Sequence, residues 1–145
     1  MTTCTQPLDV LIVEDDPIVA LAEVDMVESF GHTVVGVAAE AESTYRLASA
    51  RVPSVALLDV NLADGRSGPA ICARLIGQYG IPVVFVTANR EQLPIDLAGA
   101  LGCIEKPYSA STLGAALAFV RRYMADGSVE GVPYGLHMAP GRRLH

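Results

Sequence analysis

The sequence predicts an α/β protein with a doubly wound, five-stranded parallel sheet in the order 2-1-3-4-5. Short runs rich in β-branched residues alternate with segments of helical periodicity. The runs at 54–60 and 81–87 are apolar almost throughout, as expected for strands that are buried on both faces. Strands that alternate with helices favour right-handed crossovers, and therefore a parallel sheet covered on both sides.

The first half of the chain supplies two strands and two helices. Residues 9–14, DVLIVE, have the composition of a strand. Residues 16–30 follow with helical spacing, which predicts a buried face of four apolar residues: Val19, Ala22, Met26 and Phe30. Residues 32–38, HTVVGVA, form the second predicted strand, and residues 40–50 form the second helix.

The middle of the chain repeats this alternation. Residues 54–60, SVALLDV, are the third predicted strand. Ser67 is a candidate cap for the third helix, which has Pro69 in its first turn and extends to Tyr79. Residues 81–87, IPVVFVT, form the fourth strand.

The last elements are shorter and less regular. A short, weakly held fourth helix is expected at 94–100, because proline and glycine lie near its ends. A brief fifth strand follows at 102–105, and a fifth helix at 109–125. Residues 1–125 are therefore predicted to form one domain. Residues 126–145 are expected to be a flexible or surface-docked tail, since they are rich in Gly and Pro and have no periodicity.

Composition and charge exclude several classes of protein. With 145 residues, of which 51% are hydrophobic, the chain suits a single globular domain. A net charge of −6 argues against general affinity for nucleic acid or anionic membranes. The apolar runs are too short to span a bilayer, and the amino terminus does not have the pattern of a signal peptide. Three widely spaced cysteines fit reduced thiols in the cytoplasm.

Polar side chains follow four of the five predicted strands. Glu14 and Asp15 end the first strand, Asp59 the third, Thr87 the fourth, and the fifth leads into Lys106, the only lysine in the chain. In an open α/β sheet, ligands bind beyond the carboxyl ends of the strands, where the strand order reverses. The three acids are therefore expected to share one pocket, with the hydroxyl and the ammonium along its rim.

Three carboxylates in one pocket repel one another. Two unit charges about 5 Å apart cost roughly 3 kcal/mol at an effective dielectric near 20. Mg²⁺ offsets such repulsion and prefers carboxylate, water and phosphate oxygens, while a lysine ammonium can reach a phosphoryl group as a point charge. The pocket therefore predicts a magnesium site prepared for a phosphoryl group. The Lys106–Pro107 bond is a candidate for the cis form, which occurs in tight functional turns.

Each of these residues also has a simpler interpretation. Asp16 is suited to cap a helix, Asp59 can begin a turn, Thr87 can cap a helix, and a Lys-Pro pair is common in turns. We expect the capping role for Asp16, but it leaves the two acids before it unexplained. Acids, a hydroxyl and an ammonium together at four strand ends favour the phosphoryl site.

Four motifs, LIVEDDP, LLDVNL, VVFVTA and CIEKPYS, resemble in order and type the receiver domain of bacterial two-component response regulators. The resemblance covers residues 8–125 and implies a flavodoxin-like (βα)5 fold. A receiver of the stand-alone type is expected, because the tail after residue 125 is too short for a second domain. It implies that Asp59 accepts a phosphoryl group, in a Mg²⁺-dependent reaction, from a sensor histidine kinase or a histidine phosphotransfer protein. Apart from its own phosphorylation and dephosphorylation, no enzymatic activity is implied.

The same resemblance implies a role for each residue of the pocket. Asp15 would hold Mg²⁺ directly and Glu14 mostly through water. The implied metal ligands are Glu14, Asp15, Asp59 and the backbone carbonyl of Asn61. Thr87 would donate its hydroxyl to a phosphoryl oxygen and Lys106 would pair with the phosphoryl group. One departure is Cys103, which stands where many receivers have an aromatic residue that changes rotamer with the threonine.

The expected output is contact with another protein, or phosphorelay. The resemblance implies a downstream partner on the face formed by the fourth helix, fifth strand and fifth helix, where an apolar strip could also support a homodimer. No binding to nucleic acid or membrane is expected. Two alternatives stay open. One is a small metal-dependent phosphohydrolase or nuclease, although Asn61 stands where such enzymes have a second acid. The other is a scaffold that works without phosphorylation.

Overall fold

The sheet contains the five predicted parallel strands in the predicted order. The structure is a computed structural model that describes residues 6–65 and 67–139. The parallel strands are β1 (Asp9–Val13), β2 (Thr33–Ala38), β3 (Val55–Leu58), β4 (Val83–Thr87) and β5 (Gly102–Glu105). A sixth strand, β6 (Leu136–Met138), pairs antiparallel with β5, so the order is β2-β1-β3-β4-β5-β6. The five-stranded prediction was one strand short.

The described part of the chain contains four α-helices, where five were predicted. They are α1 (Pro17–Ser29), α2 (Ala41–Ala50), α3 (Gly68–Tyr79) and α4 (Ala110–Asp126). The helix predicted at 94–100 is wrong: this region has only a 3-10 turn at Leu97–Gly99, and Leu97 and Ala98 adopt φ values of 54° and 53°. A right-handed helix cannot continue through such left-handed conformations. Within the described ranges, no helix has both the length and the apolar character needed to cross a membrane.

Two apolar clusters, one on each face of the sheet, form the core. Alternate residues of β1 supply both, since Leu11 and Val13 join one cluster while Val10 and Ile12 join the other. Helices α2 and α3 cover the first cluster, and α1 and α4 cover the second. Because β1, β3 and β4 are buried on both faces, their carboxyl ends are rigid supports for the polar residues that follow them.

The buried face of α1 differs from the predicted one. The buried residues are Ala20, Glu23 and Val27, whereas Phe30 of the predicted face is 44% exposed. Apolar residues lie around the whole helix, and Ile18 is 80% exposed on the solvent side. Periodicity alone therefore could not select the face that meets the sheet, and one consequence is that an acid lies in the interior.

Strand β6 brings part of the 126–145 segment into the sheet. A Cβ atom on Gly102 would lie 2.7 Å from the carbonyl oxygen of His137 and 3.1 Å from Leu136, so glycine permits this close pairing. Ala139 continues it by donating its N–H to the carbonyl of Leu101 at 3.0 Å. The face predicted for a partner was the fourth helix, the fifth strand and the fifth helix. The elements on this side are instead the 88–101 loop, β6 and α4.

Candidate functional site

The turn that follows β1 places two acids at the edge of the sheet. Glu14 is 4% exposed, whereas Asp15 is exposed to solvent. Asp16 caps α1 as predicted, because its Oδ1 accepts hydrogen bonds from the backbone N–H groups of Ile18 at 2.9 Å and Val19 at 3.3 Å. The cap fixes the start of α1, and with it the direction of the two acids before it.

The end of β3 places Asp59 beside this turn. Its backbone N–H donates to the carbonyl of Val13 at 3.0 Å, and the residue is 9% exposed. A Cβ atom on Gly68 would lie 2.7 Å from the carbonyl oxygen of Asp59 and 2.7 Å from the Cα of Val60. The first residue of α3 therefore packs directly on the backbone of Asp59, which holds this carboxylate in place.

Lys106 joins the two acidic strand ends. Its Nζ donates to Glu14 Oε1 at 2.8 Å and to Asp59 Oδ2 at 3.1 Å. Its backbone N–H donates to the carbonyl of Thr87 at 2.8 Å, and the bond to Pro107 is cis, as the sequence suggested. The side chain is 21% exposed, so the ammonium lies inside the pocket and not on the surface.

Burial and charge act in opposite directions in this ion pair. Burial raises the pKa of Glu14, and the hydrogen bonds from Lys106 and the Asp16 N–H only partly offset it. Burial lowers the pKa of Lys106, but Glu14 and Asp59 outweigh this and raise it above its usual value. The lysine is therefore a cation held between two acids.

The acids also have the composition of a cation site. Glu14, Asp15 and Asp59 each offer a carboxylate oxygen, and these oxygens all lie within 4.8 Å of one another. One ammonium cannot balance three carboxylates, and hard oxygen donors are the ligands that Mg²⁺ prefers. Asn61 is exposed beside them, its N–H 3.4 Å from Asp59 Oδ1 and its side chain hydrogen-bonded to Gln92 at 3.0 Å. The donor set fits a hard divalent cation.

Thr87 and Cys103 lie on the neighbouring strands. Thr87 ends β4 and is 1% exposed, and its Oγ1 accepts a hydrogen bond from the Asn89 N–H at 3.1 Å. Its hydroxyl proton can therefore be donated elsewhere. Cys103 is fully buried in β5, and burial raises the pKa of its thiol to about 12, so it is a small apolar residue at this position.

The sequence and the fold agree on the family. Residues 10–118 match the profile of the response regulator receiver domain. The chain is a member of this family. The receiver is 38% identical over 85 residues to the phyllosphere-induced regulator PhyR of Methylorubrum extorquens, which covers 58% of the chain and 32% of PhyR. It is 30% identical over 122 residues to the transcriptional regulatory protein CseB of Streptomyces avermitilis, covering 82% of the chain and 51% of CseB. The chain thus spans a third to a half of these relatives.

Solved structures confirm the receiver fold. The receiver domain of PhyR from Erythrobacter litoralis superposes with a TM-score of 0.72 at 30% identity, covering 81% of this chain and 92% of that domain. A PhyR variant from Bartonella quintana, described as an anti-anti-sigma factor, gives a TM-score of 0.71 at 28% identity, covering 87% and 53% of the two chains. The flavodoxin-like α/β fold predicted from the sequence is confirmed.

One pair near the site was not predicted. Glu23 of α1 is 2% exposed, and its Oε2 accepts a hydrogen bond from the Tyr108 hydroxyl at 2.9 Å. Burial raises the pKa of Glu23 to about 7, although the Tyr108 bond opposes the shift. Glu23 was not predicted, because the helical spacing of the apolar residues indicates a different buried face for α1.

The Glu23→Gln receiver is expected to be more stable than the wild type above neutral pH. Below pH 4.5 the carboxyl is protonated in both the folded and the unfolded state, but above about pH 7 the folded state holds a desolvated carboxylate. Because the folded pKa is raised, the wild type loses stability as the pH rises through this window. The difference grows to at most about 3 kcal/mol, and urea unfolding near pH 5 and pH 8 measures it.

A matched control is Glu28→Gln, which removes the same charge from an exposed position on the same helix. Its stability relative to the wild type is expected to change little between the two pH values. Equal pH dependence in the Glu23→Gln receiver and the wild type would contradict the assignment of Glu23 as a desolvated acid.

Proposed function

We propose that the chain is a phospho-accepting receiver in which Asp59 takes a phosphoryl group from a phosphohistidine on a sensor histidine kinase or a histidine phosphotransfer protein. One observation carries the proposal: Lys106 Nζ bridges Glu14 and Asp59 where three carboxylate oxygens converge within 4.8 Å. A buried ion pair of this kind contributes little net stability to a fold. A phosphoryl group and a divalent cation are ligands for which this arrangement is suited.

In the proposed reaction, a carboxylate oxygen of Asp59 forms a bond to phosphorus as the P–N bond of the donor breaks. The bonding electron pair returns to the imidazole nitrogen, and the product is an aspartyl phosphate. Lys106 neutralises phosphoryl charge, and the Thr87 hydroxyl donates to a phosphoryl oxygen. The residues proposed to hold Mg²⁺ are Glu14, Asp15, Asp59 and the Asn61 carbonyl. The cation supplies further neutralisation of charge on the phosphoryl oxygens.

Family membership favours this reaction over the alternatives. Neither a phosphohydrolase nor a nuclease needs the receiver pattern that matches residues 10–118. A scaffold that works without phosphorylation would do better with apolar residues at Glu14 and Lys106, because a buried ion pair is no more stabilising than good apolar packing.

We further propose that the receiver signals by protein contacts in the cytoplasm. The Bartonella quintana relative is described as an anti-anti-sigma factor, a role defined by binding another protein. The proposed partner surface is the corrected face formed by the 88–101 loop, β6 and α4. On this loop Ile95 is 86% exposed, and Tyr134, which directly precedes β6, is 95% exposed. The same face is a candidate for a homodimer contact or for phosphorelay partners.

The proposal is tested by incubating the chain with acetyl phosphate and Mg²⁺ and measuring its intact mass. We expect a gain of one acid-labile phosphoryl group, which is absent when EDTA removes the cation. Release of phosphate without any adduct would instead indicate a phosphohydrolase. A chain that neither gains the group nor consumes the donor would support the scaffold.

A further inference from the structure

Two hydrogen bonds connect residues 14–29, here called the amino-terminal wall of the pocket, to the 106–109 turn, which carries Lys106. Within the described residues, the side chains of 14–29 meet those of the 106–109 turn through Lys106–Glu14 at 2.8 Å and Tyr108–Glu23 at 2.9 Å. The first bond contains the ammonium that the proposed reaction uses. The second bond contains no group that touches the reacting atoms.

The first bond shares its donor group with the proposed reaction. If Lys106 Nζ turns to the phosphoryl group, its hydrogen bond to Glu14 is weakened or lost. The Tyr108–Glu23 hydrogen bond then connects the wall to the turn. In the Tyr108–Glu23 bond, Tyr108 packs against the apolar cluster that α1 and α4 cover. This bond is therefore placed to hold the spacing of the pocket while the ammonium moves.

The chemistry of Tyr108 and Glu23 suits a hydrogen bond that persists throughout the reaction. Burial and the neighbouring acid raise the pKa of Tyr108 further above its already high value, so the phenol stays protonated and remains a donor. An apolar residue at position 23 would pack in the same interior at lower desolvation cost. The chain instead keeps a buried acid beside a hydroxyl, and what the pair offers over apolar packing is a fixed direction and distance.

We propose that Glu23 and Tyr108 are positioning residues for phosphoryl transfer to Asp59. Their hydrogen bond holds the Lys106 turn at a fixed distance from the acids that follow β1. This inference rests on the proposed phosphorylation of Asp59. It adds Glu23, which lies outside the four motifs, and it gives a positioning role to Tyr108, which lies within the motif CIEKPYS. Neither residue is catalytic, since both act through Lys106.

The test is a double-mutant cycle on the full chain with Tyr108→Phe and Glu23→Met, which remove the hydrogen bond and keep most of the packing. Each variant is expected to take up phosphate from saturating acetyl phosphate roughly 10-fold more slowly than the wild type, because the ammonium is displaced from its working position. The donor concentration at half-maximal rate should change little. The double variant should be no slower than either single variant.

Glu23→Gln is the conservative rescue, because its amide oxygen still accepts from Tyr108, and it should retain the wild-type rate within about 2-fold. Thermal midpoints are measured in parallel. The proposal would be overturned if both single variants changed the thermal midpoint but took up phosphate at the wild-type rate. It would also be overturned if the double variant slowed phosphate uptake by the product of the two single effects. A wild type that gains no phosphate refutes the proposed function itself, so the two failures are distinguishable.

Discussion

The Asp59→Asn receiver is expected to gain no phosphoryl group from acetyl phosphate under conditions that phosphorylate the wild type fully. An amide nitrogen or oxygen is a far weaker nucleophile than a carboxylate oxygen, so the proposed bond to phosphorus cannot form at a useful rate. The fold should persist, because Lys106 keeps Glu14 as a partner at 2.8 Å and Asn has nearly the shape of Asp. Intact mass measures the product, and circular dichroism checks the fold.

Asp25→Asn is the matched control, since it makes the same change of charge on the exposed side of α1. This control should be phosphorylated like the wild type. A phosphoryl group on the Asp59→Asn receiver would show that another side chain is the acceptor, and peptide mapping would identify it.

Lys106→Met is expected to impair both stability and phosphorylation. It leaves Glu14, with a side chain that is 3% exposed, and Asp59 without their shared cation. Removing one partner of a buried ion pair costs several kcal/mol, and we expect about 2 kcal/mol because the lysine is partly solvated. Without the ammonium on the phosphoryl oxygens, the rate of phosphorylation should fall about 100-fold.

Two further measurements separate charge from geometry at this position. Lys106→Arg restores a cation, so it should recover most of the stability but not the rate, because its planar guanidinium cannot occupy the place of a compact ammonium. In Lys106→Met the loss of stability should shrink as the pH falls, since Glu14 becomes protonated, and also when Mg²⁺ is added. Urea unfolding that shows no dependence on pH or Mg²⁺ would contradict the ion-pair account.

The pocket was predictable because its residues follow strands that the sequence marks clearly. The apolar runs that contain β3 and β4 are recognisable from composition, and parallel strands bring their carboxyl ends to one edge of the sheet. Asp59, Glu14 and Lys106 thus come together although Lys106 and Glu14 are 92 residues apart in sequence. The acids, the hydroxyl and the ammonium that follow the strands, taken together, therefore predicted the pocket.

Other features depend on contacts that periodicity does not encode. Strand β6 has three residues and follows a segment rich in Gly and Pro, so only its fit against Gly102 reveals it. The predicted helix at 94–100 failed because Leu97 and Ala98 adopt left-handed conformations that their side chains do not favour locally. Glu23 was missed because apolar residues lie around the whole of α1, so the choice of its buried face depends on the sheet.

One pocket is proposed to assemble the acids and the lysine for a divalent cation and a phosphoryl group. The most direct test is a crystal structure of the chain grown with Mn²⁺ and beryllofluoride, with the metal located by anomalous scattering. We expect one metal ion bound to Asp15, Asp59 and the Asn61 carbonyl, beryllofluoride on Asp59, and Lys106 Nζ turned from Glu14 to a fluoride. A metal ion bound elsewhere, or beryllofluoride on a residue other than Asp59, would contradict the account.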